Sequence, residues 1–132
     1  MAEVEAVDDL RVRRITVVVD AGSLVNPDGV RNQIEGGAVQ ALSWTVKERV
    51  RFDRERITST SWETYPILRF SEIPPIDVVL LDRPGDPPLG VGEAVQGPMP
   101  AAVANAVFRA SGLRARDLPI TRERLAALAA DT

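Results

Sequence analysis

A run of β-branched residues leads, through a short turn-forming segment, into a long amphipathic stretch. Residues 11–20, RVRRITVVVD, favour a buried strand because branched side chains pack well on a pleated surface. The following AGSLVNPDG combines Gly, Asn, Pro and Asp, so it predicts a tight connection with Asp28 as a helix N-cap. Residues 29–48 then place apolar side chains at three- and four-residue spacing, which predicts a helix.

The middle of the chain predicts two kinds of structure. Short runs at 50–52 and 56–58 suggest a hairpin, and residues 59–75 carry aromatics and prolines with no period, which is typical of an irregular loop. Residues 76–81 are again β-branched and predict a second long strand. The turn-rich DRPGDPPL that follows predicts another connection.

The last third of the chain predicts two helices. Residues 99–112 are small and apolar with helical spacing and end at Gly112, and Thr121 suits the N-cap of a short closing helix. The whole order indicates one α+β domain, a small mixed or antiparallel sheet packed with two main helices and a short C-terminal helix. We assign residues 11–132 to this domain and expect the acidic residues 1–10 to be a flexible lead-in.

Cysteine and histidine are both absent from the 132 residues. Their absence excludes disulfides, thiolate nucleophiles, iron–sulfur ligation and the usual general base. Proton transfer by this chain must therefore use a carboxylate, Tyr65 or Lys47. A net charge of −3 with mixed signs gives no case for nucleic acid. With no signal-peptide pattern and no apolar run near the roughly 20 residues that span a bilayer, we expect a cytoplasmic protein without membrane association.

Two segments are candidates for chemistry, and the first is NPDGVRNQIEGG. A helix start there presents free N–H groups that favour an anion, and Arg31, Asn32 and Gln33 add polar groups one turn in. The alternative is that Asp28 simply caps the helix. The mid-helix pair Gly36–Gly37 indicates either tight packing or a ligand close to the backbone.

The second segment, PLGVGEAVQGP, carries the carboxylate Glu93 between glycines and beside the small residue Ala94. Glycine lets the main chain approach a ligand closely, so a glutamate held on this loop is a candidate general base. The alternative is a carboxylate that caps the first turn of the next helix. The segment lacks the third glycine and the distant acidic residue of a dinucleotide fingerprint.

Both segments carry a resemblance that runs from about Arg11 to Arg124. VVDAGSLVNPDGVRNQIEGGAVQAL, followed later by PPLGVGEAVQGPMPAAVANAVF, resembles the C-terminal region of the molybdopterin-binding subunit of the xanthine dehydrogenase/aldehyde oxidase family. Within that family the segments resemble the bacterial isoquinoline 1-oxidoreductase β-subunit type. The resemblance implies that Gln33 lies close to the cofactor and that Glu93 stands at the position of the catalytic base. It also implies that Gly92 and Ala94 flank that base beside the cofactor.

The resemblance implies a molybdenum hydroxylase that oxidises an aldehyde or an N-heterocycle with oxygen from water. Family subunits are several times longer, so we expect this chain to contribute a base loop and a cofactor-contacting helix, and to be inactive alone. No side chain here is expected to ligate the metal, and the molybdopterin-type molybdenum cofactor is expected only in the complete assembly. The expected partners are the remaining molybdopterin-binding segments, an iron–sulfur subunit and other copies of the chain.

Two other functions stay open on the sequence. The chain could be a non-catalytic stand-alone remnant that oligomerises or binds a partner through surface its relatives cover. A third interpretation is an anion-binding domain that uses the helix start at Gly29.

Overall fold

The computed structural model describes residues 1–6 and 10–131. Its three strands form one mixed sheet in the order β1–β2–β3, in which β1 is antiparallel and β3 is parallel to the central β2. This mixed sheet with its helices confirms the predicted α+β class. The elements are β1 (Ala2–Ala6), β2 (Leu10–Asp20), α1 (Pro27–Val46), a 3₁₀ turn (Phe70–Glu72), β3 (Ile76–Leu81), α2 (Pro98–Ser111) and α3 (Arg122–Ala130).

The parallel pairing of β2 and β3 determines where the loops of this domain meet. The register runs from Ile15 opposite Ile76 to Asp20 opposite Leu81. Because the two strands point the same way, their carboxyl ends lie at the same edge of the sheet. The connection into α1 and the long segment after β3 therefore leave the sheet side by side.

The N-cap of helix α1 lies before the position that the sequence analysis expects. Asn26, not Asp28, is the N-cap, and its Oδ1 accepts a hydrogen bond of 2.9 Å from the backbone N of Gly29. Pro27 explains the difference, because its ring fixes a helical φ and suits the first helical position. Asp28 is therefore already inside the first turn, where a negative charge is still favourable.

The core lies between the sheet and the two long helices. One cluster of buried side chains includes residues of β2, α1 and α2, and in addition α2 packs against β1 and α1 against β3. Gly112 ends α2 in the left-handed conformation with φ of 76°, and Thr121 Oγ1 caps α3 by accepting from Arg124 N at 3.4 Å. Both helix ends are confirmed. The largest fully buried side chains are Ile15, Ile34, Leu42, Thr45, Val103, Val107 and Ile120.

The expected flexible lead-in is wrong for residues 2–6, which form β1. The sequence AEVEA alternates, so Val4 packs against the core while the glutamates face outward. Glu5 forms an ion pair with Arg13 of β2. Residues 7–9 of the predicted lead-in lie outside the described residues.

The hairpin predicted at 50–52 and 56–58 is reduced to a single bridge between Phe52 and Ile57. Asp53 stabilises the turn, since its Oδ1 accepts from the backbone N of Glu55 and Arg56. Phe52 is 77% exposed and Ile57 is 57% exposed, so the pair has no buried apolar face to extend it into two strands.

Across the described ranges, none of the helices combines the length and apolar character that crossing a membrane would require.

Candidate functional site

The connection between β2 and α1 packs backbone to backbone against the segment after β3. Gly22 has φ of +69°, and a Cβ added to it would lie 2.1 Å from the carbonyl oxygen of Pro87. The Ala21 carbonyl accepts a hydrogen bond of 2.9 Å from Leu89 N. Only glycine combines this conformation with such a close approach. Gly22 therefore makes possible the contact that leads the chain toward Glu93.

Side chains strengthen the same contact at the sheet edge. Arg83 Nε donates to Asp20 Oδ2 at 2.9 Å, and Leu24 N donates to Asp82 Oδ1 at 3.3 Å. The hydrogen bond from Arg83, with a second from Gly22 N, holds the pKa of the Asp20 carboxyl below its usual value. Asp20 thus orders the turn, and its carboxylate is engaged by groups of this chain.

The loop that carries Glu93, residues 92–97, contacts α1 at three points. Gln33 Nε2 donates to the Gly92 carbonyl at 3.0 Å, buried Val95 packs over Gly37, and Gln96 Nε2 lies 3.2 Å from Gln40 Oε1. The helix positions 33, 37 and 40 are four and three residues apart, so they lie on one side of α1. We call these three positions the α1 contact face. The predicted cofactor-contacting residue Gln33 is therefore brought to the loop that carries Glu93.

Glu93 itself is exposed, as are Gly92 and Ala94. Its carbonyl accepts from Gln96 N at 3.1 Å, whereas its carboxylate makes no hydrogen bond or ion pair with any residue that the structure describes. The capping alternative is not realised, because α2 begins at Pro98 with Gly97 as its N-cap and no side chain caps it. The backbone of Glu93 is thus held within its loop, while its carboxylate makes no contact of these kinds with the described residues and is available to a ligand.

The anion-binding interpretation of the α1 start finds little support in the contacts. Gly29 N is occupied by Asn26 Oδ1. Arg31 Nη1 donates to the Val78 carbonyl at 2.7 Å, which ties α1 to β3 at one edge of the sheet. Two of the groups that would receive an anion already have partners within the chain.

The two central glycines of α1 have different surroundings. A Cβ on Gly37 would lie 2.9 Å from Val95 Cγ2, so tight packing explains this glycine. Gly36 is exposed, and an added Cβ would meet nothing within 4 Å.

Within residues 1–6 and 10–131 no group of three or more His, Cys, Asp or Glu side chains is arranged for a metal ion.

Sequence reasoning missed Gln40 and Gln96, which join α1 to the base loop. The available signal was the spacing of Gln33, Gly37 and Gln40, which places them on one helix face. Gln96 carries a further feature, since its Oε1 is buried and has no hydrogen-bond partner among the described residues.

Comparison with known proteins identifies the family. Residues 1–74 match the family model of the molybdopterin cofactor-binding domain. A subunit of nicotinate dehydrogenase from Pseudomonas putida is 48% identical over 119 residues, which cover 90% of this chain and 10% of that protein. The beta subunit of isoquinoline 1-oxidoreductase from Brevundimonas diminuta is 35% identical over 111 residues, covering 84% of this chain and 14% of that protein.

A solved structure gives the same result for the fold. Quinoline 2-oxidoreductase from Pseudomonas putida 86 superposes with a TM-score of 0.79 at 31% identity, over 89% of this chain and 16% of that chain. The chain belongs to the molybdopterin cofactor-binding domain family, among the molybdopterin-binding subunits of the xanthine dehydrogenase/aldehyde oxidase type. The resemblance in the two sequence motifs is confirmed. The chain spans between 10% and 16% of the length of these three relatives.

Proposed function

We propose that this chain is part of a molybdenum hydroxylase in which Glu93 is the general base and Gln33, Gly92 and Ala94 face the molybdopterin-type cofactor. The observation that carries the proposal is the hydrogen bond of 3.0 Å from Gln33 Nε2 to the Gly92 carbonyl. It joins, across 59 residues of sequence, the two segments that resemble the cofactor segment and the base segment of the family.

The residues present suit a large ligand on the exposed side of the base loop. A Cβ added at Gly90 or Gly92 would meet nothing within 4 Å, so the main chain there is open to close approach. The Gln33 amide oxygen accepts no hydrogen bond from a described residue, so it can accept one from an N–H group of a pterin. Ligand sites bury most of their ligand, and an exposed surface like this one needs further walls. The cofactor therefore requires other segments of the assembly.

The cofactor, when bound, supplies the two-electron redox chemistry of hydroxylation. The Glu93 carboxylate accepts the proton as a water-derived oxygen becomes the nucleophile toward an aldehyde or a carbon beside a ring nitrogen. Positioned general bases contribute roughly 10²–10⁴-fold to the rate. Gly92 and Ala94 carry no side chain large enough to fill the space beside this carboxylate. With no histidine in the chain, no imidazole from this chain can replace Glu93.

The partners proposed are the remaining molybdopterin-binding segments and an iron–sulfur subunit that carries the electrons away. Two relatives are named as subunits, and this chain has no cysteine to hold a cluster itself. Phe52, Trp62 and Phe70 are 77%, 76% and 93% exposed. Large exposed apolar side chains favour association, so we also propose that the chain self-associates when purified alone.

Molybdenum content measured by mass spectrometry tests this function. The chain purified alone should hold no molybdenum, whereas co-expression with the remaining segments and the iron–sulfur subunit should give a molybdenum-containing complex that oxidises an aldehyde or N-heterocycle. Stoichiometric molybdenum in the chain alone would contradict the claim that other protein segments are needed to enclose the cofactor. A stable complex that stays free of molybdenum in a cofactor-producing host would instead favour the non-catalytic partner-binding module.

A further inference from the structure

The loop that carries Glu93 is held to the α1 contact face, yet Glu93 makes none of these contacts with its own side chain. We propose that Gly37, Gln40 and Gln96 are positioning residues, which hold this loop so that the Glu93 carboxylate stays in place for proton transfer. The inference rests on the proposed role of Glu93 and extends it to residues that act through their contacts within this chain.

Gly37 sets how closely the loop approaches the helix. Val95, two residues after Glu93, is 4% exposed and seats its Cγ2 methyl where a Cβ on residue 37 would come within 2.9 Å. A valine is stiff about χ1, so it has little freedom to swing this methyl away. Any side chain at position 37 therefore moves Val95 outward, and the loop moves with it.

Gln40 and Gln96 provide a second, polar link. Gln96 Nε2 donates to Gln40 Oε1 at 3.2 Å, and the backbone N of Gln96 donates to the Glu93 carbonyl at 3.1 Å. Two hydrogen bonds thus lead from the helix to the backbone of the proposed base. A one-ångström displacement of a catalytic group can cost about 10²-fold in rate, so such a link matters for turnover.

The neighbouring Gly36 offers a matched control for Gly37. Both are glycines in the middle of α1, and replacing either with alanine adds the same methyl group to the same helix. At position 36 the methyl meets nothing within 4 Å, whereas at position 37 it meets Val95. A difference between Gly36→Ala and Gly37→Ala therefore reports on the loop contact and not on helix propensity.

The first measurement uses hydrogen exchange of backbone amides in the 132-residue chain, followed by NMR, and needs no cofactor. Gly37→Ala should raise the exchange rate of the Gln96 amide by about tenfold, equivalent to ~1.4 kcal/mol of local opening. Gly36→Ala should leave this rate unchanged. Adding Val95→Ala to Gly37→Ala removes the overlapping methyl and should return the rate toward that of Val95→Ala alone.

The polar link is tested in the same way without adding bulk. Gln40→Leu removes the acceptor and should also raise the Gln96 exchange rate, whereas Gln40→Glu keeps an acceptor oxygen and should not. Unchanged Gln96 exchange in both Gly37→Ala and Gln40→Leu would overturn the inference, whatever the role of Glu93.

The second measurement uses the complete, molybdenum-replete enzyme. Gly37→Ala and Gln40→Leu should lower kcat by about tenfold or more with KM and molybdenum content unchanged, while Gly36→Ala and Gln40→Glu keep wild-type kcat. Raised Gln96 exchange with an unaltered kcat would refute the positioning role. Glu93→Gln should leave Gln96 exchange as it is, so failure of the base assignment is distinguishable from failure of this inference.

Discussion

Replacement of Gly22 by alanine should destabilise the domain by about 2–3 kcal/mol. The left-handed φ of +69° costs an alanine ~1–2 kcal/mol, and the new Cβ would overlap the Pro87 carbonyl oxygen at 2.1 Å. Because that neighbour is backbone, relief requires the 86–89 segment to move away. Such movement breaks hydrogen bonds such as that from Leu89 N to Ala21 O at 2.9 Å, worth roughly 1 kcal/mol each. The lower chain entropy of unfolded alanine offsets about 0.4–1 kcal/mol.

Urea denaturation followed by tryptophan fluorescence measures this effect. The midpoint should fall with the m-value unchanged, since the unfolded chain exposes the same surface. Gly36→Ala is the control, because its Cβ meets nothing within 4 Å and alanine should stabilise an exposed helix position by about 0.5–1 kcal/mol. A free energy of unfolding for Gly22→Ala within ~0.5 kcal/mol of wild type would refute the argument that this glycine is required for the backbone contact.

Two further predictions concern pH and association. The hydrogen bond from Lys47, with another from Arg69 N, holds the pKa of the Glu72 carboxyl below its ordinary value of 4.5. The ionised Glu72 therefore stabilises the folded state above pH 4.5, and this contribution is lost as pH falls through the pKa of the folded state. In urea titrations below pH 4.5 the free energy of unfolding of Glu72→Gln should therefore fall less with decreasing pH than that of the wild type. The same pH dependence in wild type and variant would contradict this. Light scattering of the chain alone should show self-association that a Trp62→Ser/Phe70→Ser variant reduces, whereas a wild-type monomer well above micromolar concentration would argue against it.

Local chemistry was enough to predict most elements of the fold. The β-branched run at 76–81 forms β3 over those residues, and Gly112 and Thr121 mark helix ends because their backbone and side-chain preferences act within one turn. The errors arose where neighbouring residues or elements decide. β1 forms because β2 offers it a partner edge, and Pro27 decides between the two candidate capping residues Asn26 and Asp28.

The candidate site divides in the same way. Gln33 and Glu93 stand out in the sequence through their glycine-rich surroundings and the family resemblance. Their proximity depends on the parallel register of β2 and β3, which no local pattern shows. Gln40 and Gln96 lie inside the same two segments, and the spacing of Gln40 from Gln33 places it on the helix face, but nothing in the sequence pairs it with Gln96. Their contact becomes visible only when the base loop is placed on α1.

The most direct test of the central claim is the turnover of molybdenum-replete Glu93→Gln in the complete enzyme. Glutamine keeps the shape of the side chain but cannot accept the proton, so kcat should fall by about 10²–10⁴-fold with fold and molybdenum content intact. Gln33→Ala should instead chiefly lower molybdenum content, and Glu35→Gln, a carboxylate of α1 outside the proposed site, should retain wild-type turnover. Near wild-type turnover of molybdenum-replete Glu93→Gln would contradict the assignment of Glu93 as the general base.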